Sequence, residues 1–580
     1  MTIESVLPVP VLPRQTVQAI FPDGRAFEAP AGTAVELFIQ TAKPEVKGKV
    51  VAALLDGKLR ELSTPLERDT AVTPITNSDS DGGRIFRRSL SFLMIAAAAE
   101  LFPGCTISIQ HSMPFGGYYC EFSNRDATAA DLAALTARME ALVAANLPIG
   151  KVRMPLDEAL RLFCEAGDEQ KAALFARRRK DYLTLYELNG VRDYFHGFMV
   201  PSTGYLTPFA LHLYSQGFIL QFPRRHQPNT LLPFEDAPRL ARIFREYDDW
   251  LNIIGVPLVA SLNEAVTNGR MLEIILVAEA LHQKQLSQIA QEISRRRPQV
   301  KLILISGPTS AGKTTFSKRL AIQLLAEGIT PITIGMDNYF VNRDDTPRDH
   351  NGDYDFEALE AVDVALFQSD VRRLMNGETI IQPRYNFHTG MREAGEPLTI
   401  GPDHLILVEG IHGLNPKLVQ GIPSEAVFRV FISAFTQLNL DKHNRVPTTD
   451  TRLLRRIVRD AAHRGYSAAD TIGRWPSVRR GEKQHIFPYQ NNADLFFNSA
   501  LVYELAALKA LAQPLLLQVE PGTPERVEAN RLLAFLQWFE PLPVEMYVAI
   551  AGDSIMREFM GGSILEHYQP MQYEAVQGNR

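Results

Sequence analysis

A chain of 580 residues is too long for one hydrophobic core and predicts two to four domains. With 46% hydrophobic and 22% charged residues it has a globular composition, and a net charge of −6 excludes an overall attraction to nucleic acid or anionic lipid. Cys105, Cys120 and Cys164 follow neither a disulfide nor a metal-binding spacing, the start MTIESVLPVPVLPRQ lacks the basic-then-apolar order of a secretory signal, and the apolar stretch 90–102 is too short to cross a bilayer. These features predict a cytoplasmic protein without a membrane partner.

In chain order, residues 15–76 read as a small α+β domain: 16–21 alternates, Pro22-Asp23-Gly24 supplies a hairpin turn, a helix is expected over 34–41, a strand over 50–55, and Asp56-Gly57 makes a second turn. The polar, glycine-bearing NSDSDGG segment (77–83) predicts a linker or exposed loop. A second α+β domain is expected over 77–228, where helical patterns at 89–102, 129–146 and 155–165 alternate with strand-like runs such as 218–222. The basic runs Arg177-Arg178-Arg179-Lys180 and Arg295-Arg296-Arg297 read as solvated surface. Residues 229–298 predict a helical connector closed by Pro298. Apolar strands at 302–306, 329–334, 405–408 and 427–432 then alternate with helices, which predicts a parallel sheet covered on both faces over 299–515. The tail, 516–580, predicts a helical extension with no legible chemistry. The fold class is α/β, with a C-terminal parallel-sheet domain preceded by two α+β domains.

Gly307-Pro-Thr-Ser-Ala-Gly312-Lys313-Thr314 matches G-x-x-x-x-G-K-[ST] between an apolar strand and an amphipathic helix, the context a phosphate-binding loop requires. Glycines let successive backbone N–H groups turn towards one anion, and the helix adds its positive end. Gly307, Ser310, Ala311, Gly312, Lys313, Thr314 and Thr315 are therefore candidate ATP-binding residues. Lys313 is expected at the β and γ phosphates, Thr314 on Mg2+ and Thr315 at the α phosphate.

Phosphoryl transfer to a hydroxyl calls for a carboxylate near the acceptor proton and an acidic group near the metal. Asp337 and Glu409 each follow an apolar strand and so are placed at the sheet edge where open α/β folds bind ligands. A turn cap for Asp337 and a solvated strand end for Glu409 are the structural alternatives.

After the P-loop come MDNYF (336–340), DYDF (353–356), PRYNF (383–387), VEGI (408–411) and DTRLLRRIVRD (450–460), and in that order they resemble the uridine kinase and phosphoribulokinase family. The resemblance spans about 200 residues. It implies that Asp337 accepts the proton of a nucleoside 5′-hydroxyl, that Tyr339 lines the acceptor pocket, that Asp355 holds ribose hydroxyls, and that Tyr385, Phe387 and Arg392 surround sugar and base. Where uridine and cytidine kinases place a base-reading histidine this chain has Gly390, with His388 displaced by two; His388 is either a substitute or a surface residue. Arg452, Arg455, Arg456 and Arg459 recur at helical spacing on one face. The resemblance makes that helix a lid over the phosphates, with Arg452 and Arg456 as charge stabilisers beside Lys313; a basic helix paired with Asp450 and Asp460 is the alternative.

The front half is similar to the TGS domain (15–76) and the editing-type domain of threonyl-tRNA synthetases, carried by GGYYCEF (116–122) and PSTGY (201–205). At the four editing positions of that family the alignment places Arg88, Phe92, Phe195 and Met199, which neither ligate zinc nor activate water, so deacylation is not expected. A scaffold, a homo-oligomer surface, or a module contacting RNA or tRNA is expected instead. Three functions follow for the whole: a nucleoside kinase using ATP and Mg2+, a phosphoribulokinase-like kinase of another sugar-like alcohol, or an RNA-binding regulator switched by ATP.

Overall fold

The structure, a computed structural model, describes residues 14–178, 180–348, 352–436 and 438–568. Residues 1–13 of the stretch read for a leader, Arg179 of the basic run and the end of the expected C-terminal extension lie outside the described residues. The chain divides into two compact units, one of 1–235 with 442–444 and 522–527, the other of 236–441, 445–521 and 528–580.

In the first unit the alternation of Thr16–Ile20 turns Val17 and Ala19 inward, and a turn with Gly24 at φ +84° returns the chain as the antiparallel strand Ala26–Pro30. Thr70–Thr76 joins in parallel, and Val50–Leu55 with Lys58–Arg60 completes a five-stranded sheet. The helix Val35–Ala42 seals it with Val35, Phe38 and Ile39. The expected linker is absent: a helix runs Ser80–Leu101, beginning inside NSDSDGG. Asp79 precedes it and accepts hydrogen bonds from the Thr76 amide and hydroxyl at 2.7 and 2.9 Å. A Cβ on buried Gly82 would lie 1.9 Å from the Thr76 carbonyl oxygen, so the glycine that suggested a loop is there to let helix and strand touch. Leu90, Phe92 and Leu93 of this helix share a core with Phe122, Phe218 and Leu220 of a four-stranded antiparallel sheet.

In the second unit five strands, β1 (Leu302–Ser306), β2 (Thr330–Gly335), β3 (His404–Glu409), β4 (Val427–Ser433) and β5 (Leu495–Asn498), form an all-parallel sheet in the order β2-β3-β1-β4-β5. All five residues of β1 are buried, as a strand covered on both faces requires. The chain leaves β1 towards β2 on one side, while β4 flanks it on the other, so a crevice opens above its carboxyl end. Four helices matter for the site: α1 (Met271–Arg295), α2 (Lys313–Ala326), α3 (Val364–Met375) and α4 (Thr448–His463), with a single turn α5 at Arg557–Met560. Leu302, Leu304, Ile406 and Val408 face Phe367 and Val371 of α3. Ile303, Ile305, Leu407 and Val430 face Phe316 and Leu320 of α2 and Leu286, Ile289 and Ile293 of α1.

Parts of the expected connector and tail belong to the core of this sheet. Helix α1 places an i, i+3, i+7 apolar stripe in the sheet's own core, and Ile555 and Phe559 from the tail join the same cluster with no exposed surface. A stripe announces that a helix must be covered but does not say by what.

Substituting Gly82→Ala is expected to lower the first unit's stability by about 2 kcal/mol or more, the scale of overpacking against fixed backbone. A denaturation curve read by a probe in that unit checks it, and unchanged stability would show that helix and strand separate freely.

Candidate active site

The loop after β1 is shaped by crowding. A Cβ on Gly307 would sit 2.0 Å from the Ile432 carbonyl oxygen on β4, so only glycine passes. Ser310 (φ +56°) and Gly312 (φ +86°) then adopt left-handed backbone, and the chain enters α2 at Lys313. Ala311 is fully buried, and the Ser310 hydroxyl is buried without a hydrogen-bond partner among the described residues. Lys313 folds back over the loop, its Nζ donating to the Pro308 carbonyl at 3.3 Å.

Register brings the acids to the same edge. Glu409 ends β3 opposite Ile305 of β1 and Gly335 of β2. The exposed Thr314 hydroxyl lies 3.1 Å from both Glu409 carboxylate oxygens. Burial pushes the Glu409 carboxyl up to about 7; Lys313 opposes the rise, and the charges of Asp337 and Glu558 add to it. Two residues beyond Gly335, Asp337 stands in a single 3-10 turn, Met336–Tyr339. Asp337 as a residue is exposed, yet the protein packed around its carboxyl raises its pKa, with Lys313 and Arg464 opposing. One hydroxyl and one carboxylate beside the loop fit a magnesium ion, which takes few protein oxygens and keeps water and phosphate for the rest. Among the described residues no trio of His, Cys, Asp or Glu forms a metal cluster.

Two participants escape the sequence motifs. Glu357 is raised to about 7 by burial, with Glu482 adding to the rise and Arg456 and Lys313 opposing it; its Oε2 has no hydrogen-bond partner among the described residues. Arg464 lies just past α4, within electrostatic reach of Asp337. Spacing signals neither, because each reaches the site through a loop.

On the acceptor side the expected residues divide. The Asp355 carboxylate accepts the Glu357 amide hydrogen at 3.1 Å. The antiparallel hairpin Ile380–Asn386 and Met391–Leu398 carries Tyr385, Phe387, His388 and Arg392. Tyr385 is buried with its ring edge-on to Phe340 and Phe387, while Phe387 is 60% exposed and His388 lies on the surface. Arg392 is taken up by Asp363 at 2.8 Å. Tyr339 is not a pocket wall: it is fully buried against Phe367, its hydroxyl 3.2 Å from Asp370, because the 3-10 turn points it under the sheet edge. Gly390 has φ +73°, and a Cβ there would lie 2.7 Å from Arg343 Nε. Arg343 thus fills the space a side chain at 390 would use. Its Nη2 donates to the Phe387 carbonyl at 2.7 Å, and it has no carboxylate partner among the described residues.

The arginine face of α4 does meet the loop, but not as a free cationic clamp. Arg452 and Arg455 are buried and ion-paired with Glu482 and Glu504, and Arg459 pairs with Asp460 at 2.8 Å. Arg452 Nε donates to the Thr309 carbonyl at 3.1 Å, and Arg456, paired with Asp460 at 3.2 Å, reaches the Thr309 hydroxyl at 3.4 Å. A buried guanidinium demands a carboxylate, so these arginines brace the loop from behind with their charge already neutralised. Asp450, the other acid expected on this helix, pairs with Arg531.

In the first unit, Phe92 and Phe195 pack with ring centroids 5.0 Å apart, Met199 is buried beside the Ser89 hydroxyl, and Arg88 donates to the Phe198 carbonyl at 2.6 Å. Of the four positions expected to correspond to an editing site, Phe92, Phe195 and Met199 thus lie in apolar packing and Arg88 is held by a backbone carbonyl.

Comparison with known proteins follows this division. Residues 302–506 match the Phosphoribulokinase / Uridine kinase family, making that stretch a P-loop kinase domain. The N-terminal region is similar to threonine–tRNA ligases. That of Halalkalibacterium halodurans is 32% identical over 198 residues, 34% of this chain and 31% of that protein; that of Marinobacter nauticus is 36% identical over 196 residues, 33% and 30% respectively. The chain spans about a third of the length of these curated relatives. A solved structure described as "a Possible Uridine Kinase from Bacillus stearothermophilus" is 22% identical, covers 26% of this chain and 79% of that one, and has a TM-score of 0.22.

Two stability measurements test the electrostatics. Glu357 titrates at about 7 when folded against 4.5 in its reference state, so its ionised form destabilises the fold above pH 7, a loss absent below pH 4.5 where both states are protonated. Glu357→Gln is expected to gain on the order of 1–2 kcal/mol relative to the parent between about pH 5 and pH 8; a pH-independent difference contradicts the assignment. Arg455→Ala is expected to cost about 3–5 kcal/mol by stranding Glu504, with Arg455→Met plus Glu504→Leu recovering most of it. A surface arginine would show neither effect.

Proposed function

We propose that this chain transfers the γ-phosphoryl group of ATP to the 5′-hydroxyl of a nucleoside of the uridine or cytidine type, giving the nucleoside monophosphate and ADP. The observation carrying this reading is that Asp337, with a raised carboxyl, lies within electrostatic reach of both Lys313 and Glu409 at one sheet edge. In this reading Gly307 to Thr315 cradles the phosphates and Lys313 neutralises charge on the transferred group. Thr314 and Glu409 would hold a magnesium ion, which would supply positive charge to offset that of the phosphates. Asp337 takes the hydroxyl proton as the oxygen attacks, and its raised pKa makes it a stronger base than a free aspartate. Arg452, Arg456 and Arg392, each already paired with a carboxylate, act by positioning their neighbours. In the same reading Asp355 holds ribose hydroxyls and the exposed Phe387 ring stacks a base.

Arg343 favours a second reading. A half-buried guanidinium with no carboxylate partner among the described residues suits an anionic acceptor such as a sugar phosphate, in line with a phosphoribulokinase-like reaction. For the first unit we propose contact with RNA or tRNA from its similarity to threonine–tRNA ligases, and a cytoplasmic location for the whole; among the described residues no helix is long and apolar enough to cross a membrane.

The test is acceptor-dependent ADP release from the full chain with a panel of nucleosides and sugar phosphates. Asp337→Asn is expected to lower the rate about 10²–10⁴-fold while ATP still binds. Activity with sugar phosphates alone, lost in Arg343→Ala, selects the second reading. ATP hydrolysis stimulated only by RNA, unaffected by Asp337→Asn, would overturn both in favour of an ATP-switched RNA-binding regulator.

A further inference from the structure

The tail in which the sequence shows no chemistry runs beside the phosphate loop. Its segment 553–566 is anchored on both sides of α5. Before that turn, Ile555 is fully buried and packs against the loop itself, since a Cβ on Gly312 would meet Ile555 Cγ2 at 2.6 Å. Within it, Phe559 is fully buried in the sheet core. After it, Lys318 on α2 donates to the backbone carbonyls of Leu565 and Glu566 at 2.5 and 2.9 Å. Held between these anchors, the Glu558 carboxylate accepts the backbone N–H of Thr315 at 3.1 Å.

That amide belongs to the first turn of α2, where unpaired N–H groups and the helix dipole attract anions. It belongs to Thr315, the residue expected from the sequence at the α phosphate. One N–H cannot serve two anions, and two negative charges about 4 Å apart repel strongly in partly buried surroundings. The carboxylate also reaches the metal side of the pocket electrostatically, as its contribution to Glu409 shows.

We propose that Glu558 is an internal competitor for the nucleotide: its carboxylate occupies the Thr315 amide that the phosphate chain would take, so Mg·ATP binds only as the 553–566 segment releases that contact. The segment then acts as a built-in strap that sets nucleotide affinity. This rests on the ATP-binding reading of the loop and adds a determinant outside the family-matched residues 302–506.

The experiment uses the full chain. Mg·ATP affinity is measured by calorimetry for the parent, Glu558→Ala and the isosteric Glu558→Gln, and hydrogen exchange of the peptide 553–566 in the parent is followed with and without Mg·ATP. Removing the charge is expected to tighten binding about tenfold in both variants, a modest fraction of the Coulomb term. Nucleotide is expected to accelerate exchange across 553–566. The exchange arm needs no variant, so a folding defect in Glu558→Ala leaves the test standing. Affinity unchanged or weakened in the folded variants, or exchange unchanged or slowed by nucleotide, overturns the strap; both quantities must move as stated. If the parent and both variants fail to bind nucleotide, the ATP-binding reading falls along with it.

Discussion

Everything at the candidate active site follows from the lack of room beside Gly307. The carbonyl of Ile432 on the neighbouring strand comes so close that no side chain fits, and the chain must turn away from the sheet there rather than one residue earlier or later. That turn fixes where α2 begins. The start of α2 in turn sets Thr314 against Glu409 and Lys313 over the loop. Parallel pairing of β1, β2 and β3 aligns the carboxyl ends of the strands, which places Asp337 and Glu409 at the same height without any contact between their side chains being needed.

Charge is distributed unevenly around this loop. Behind it, the arginines of α4 are matched by Glu482, Glu504 and Asp460, so the brace carries many ions but little net field. In front, one lysine faces Asp337, Glu409 and Glu357, and the pKa of all three acids is raised. An excess of carboxylate around a phosphate-binding loop is unfavourable until positive charge arrives, which under the proposed reaction a magnesium ion at Thr314 and Glu409 would supply. Glu558 adds a further negative group from outside the crevice, giving the tail a means of influencing what the loop holds.

The first unit is held by apolar packing around its long helix. The Phe92 and Phe195 rings fill space there, and their packing continues the core of the long helix Ser80–Leu101. Apolar contact at these positions strengthens a core that polar ligands would have weakened.

Local spacing alone determined the P-loop, the α/β character of the C-terminal half, the hairpin at Asp23-Gly24 and the strand-end placement of Asp337 and Glu409. These depend on neighbours in the chain and on periodicities of two and 3.6 residues. Tertiary structure decided the rest. It turned NSDSDGG from a loop into the start of a helix, because Gly82 meets a strand; it sent Tyr339 into the core; it neutralised the arginines that spacing had lined up as a clamp; and it brought Arg343, Glu357, Arg464 and Glu558 to the site. The physical reason is common to all of these. A side chain's charge, exposure and partner are set by what packs against it, and those partners lie tens to hundreds of residues away in sequence, beyond the reach of any local pattern.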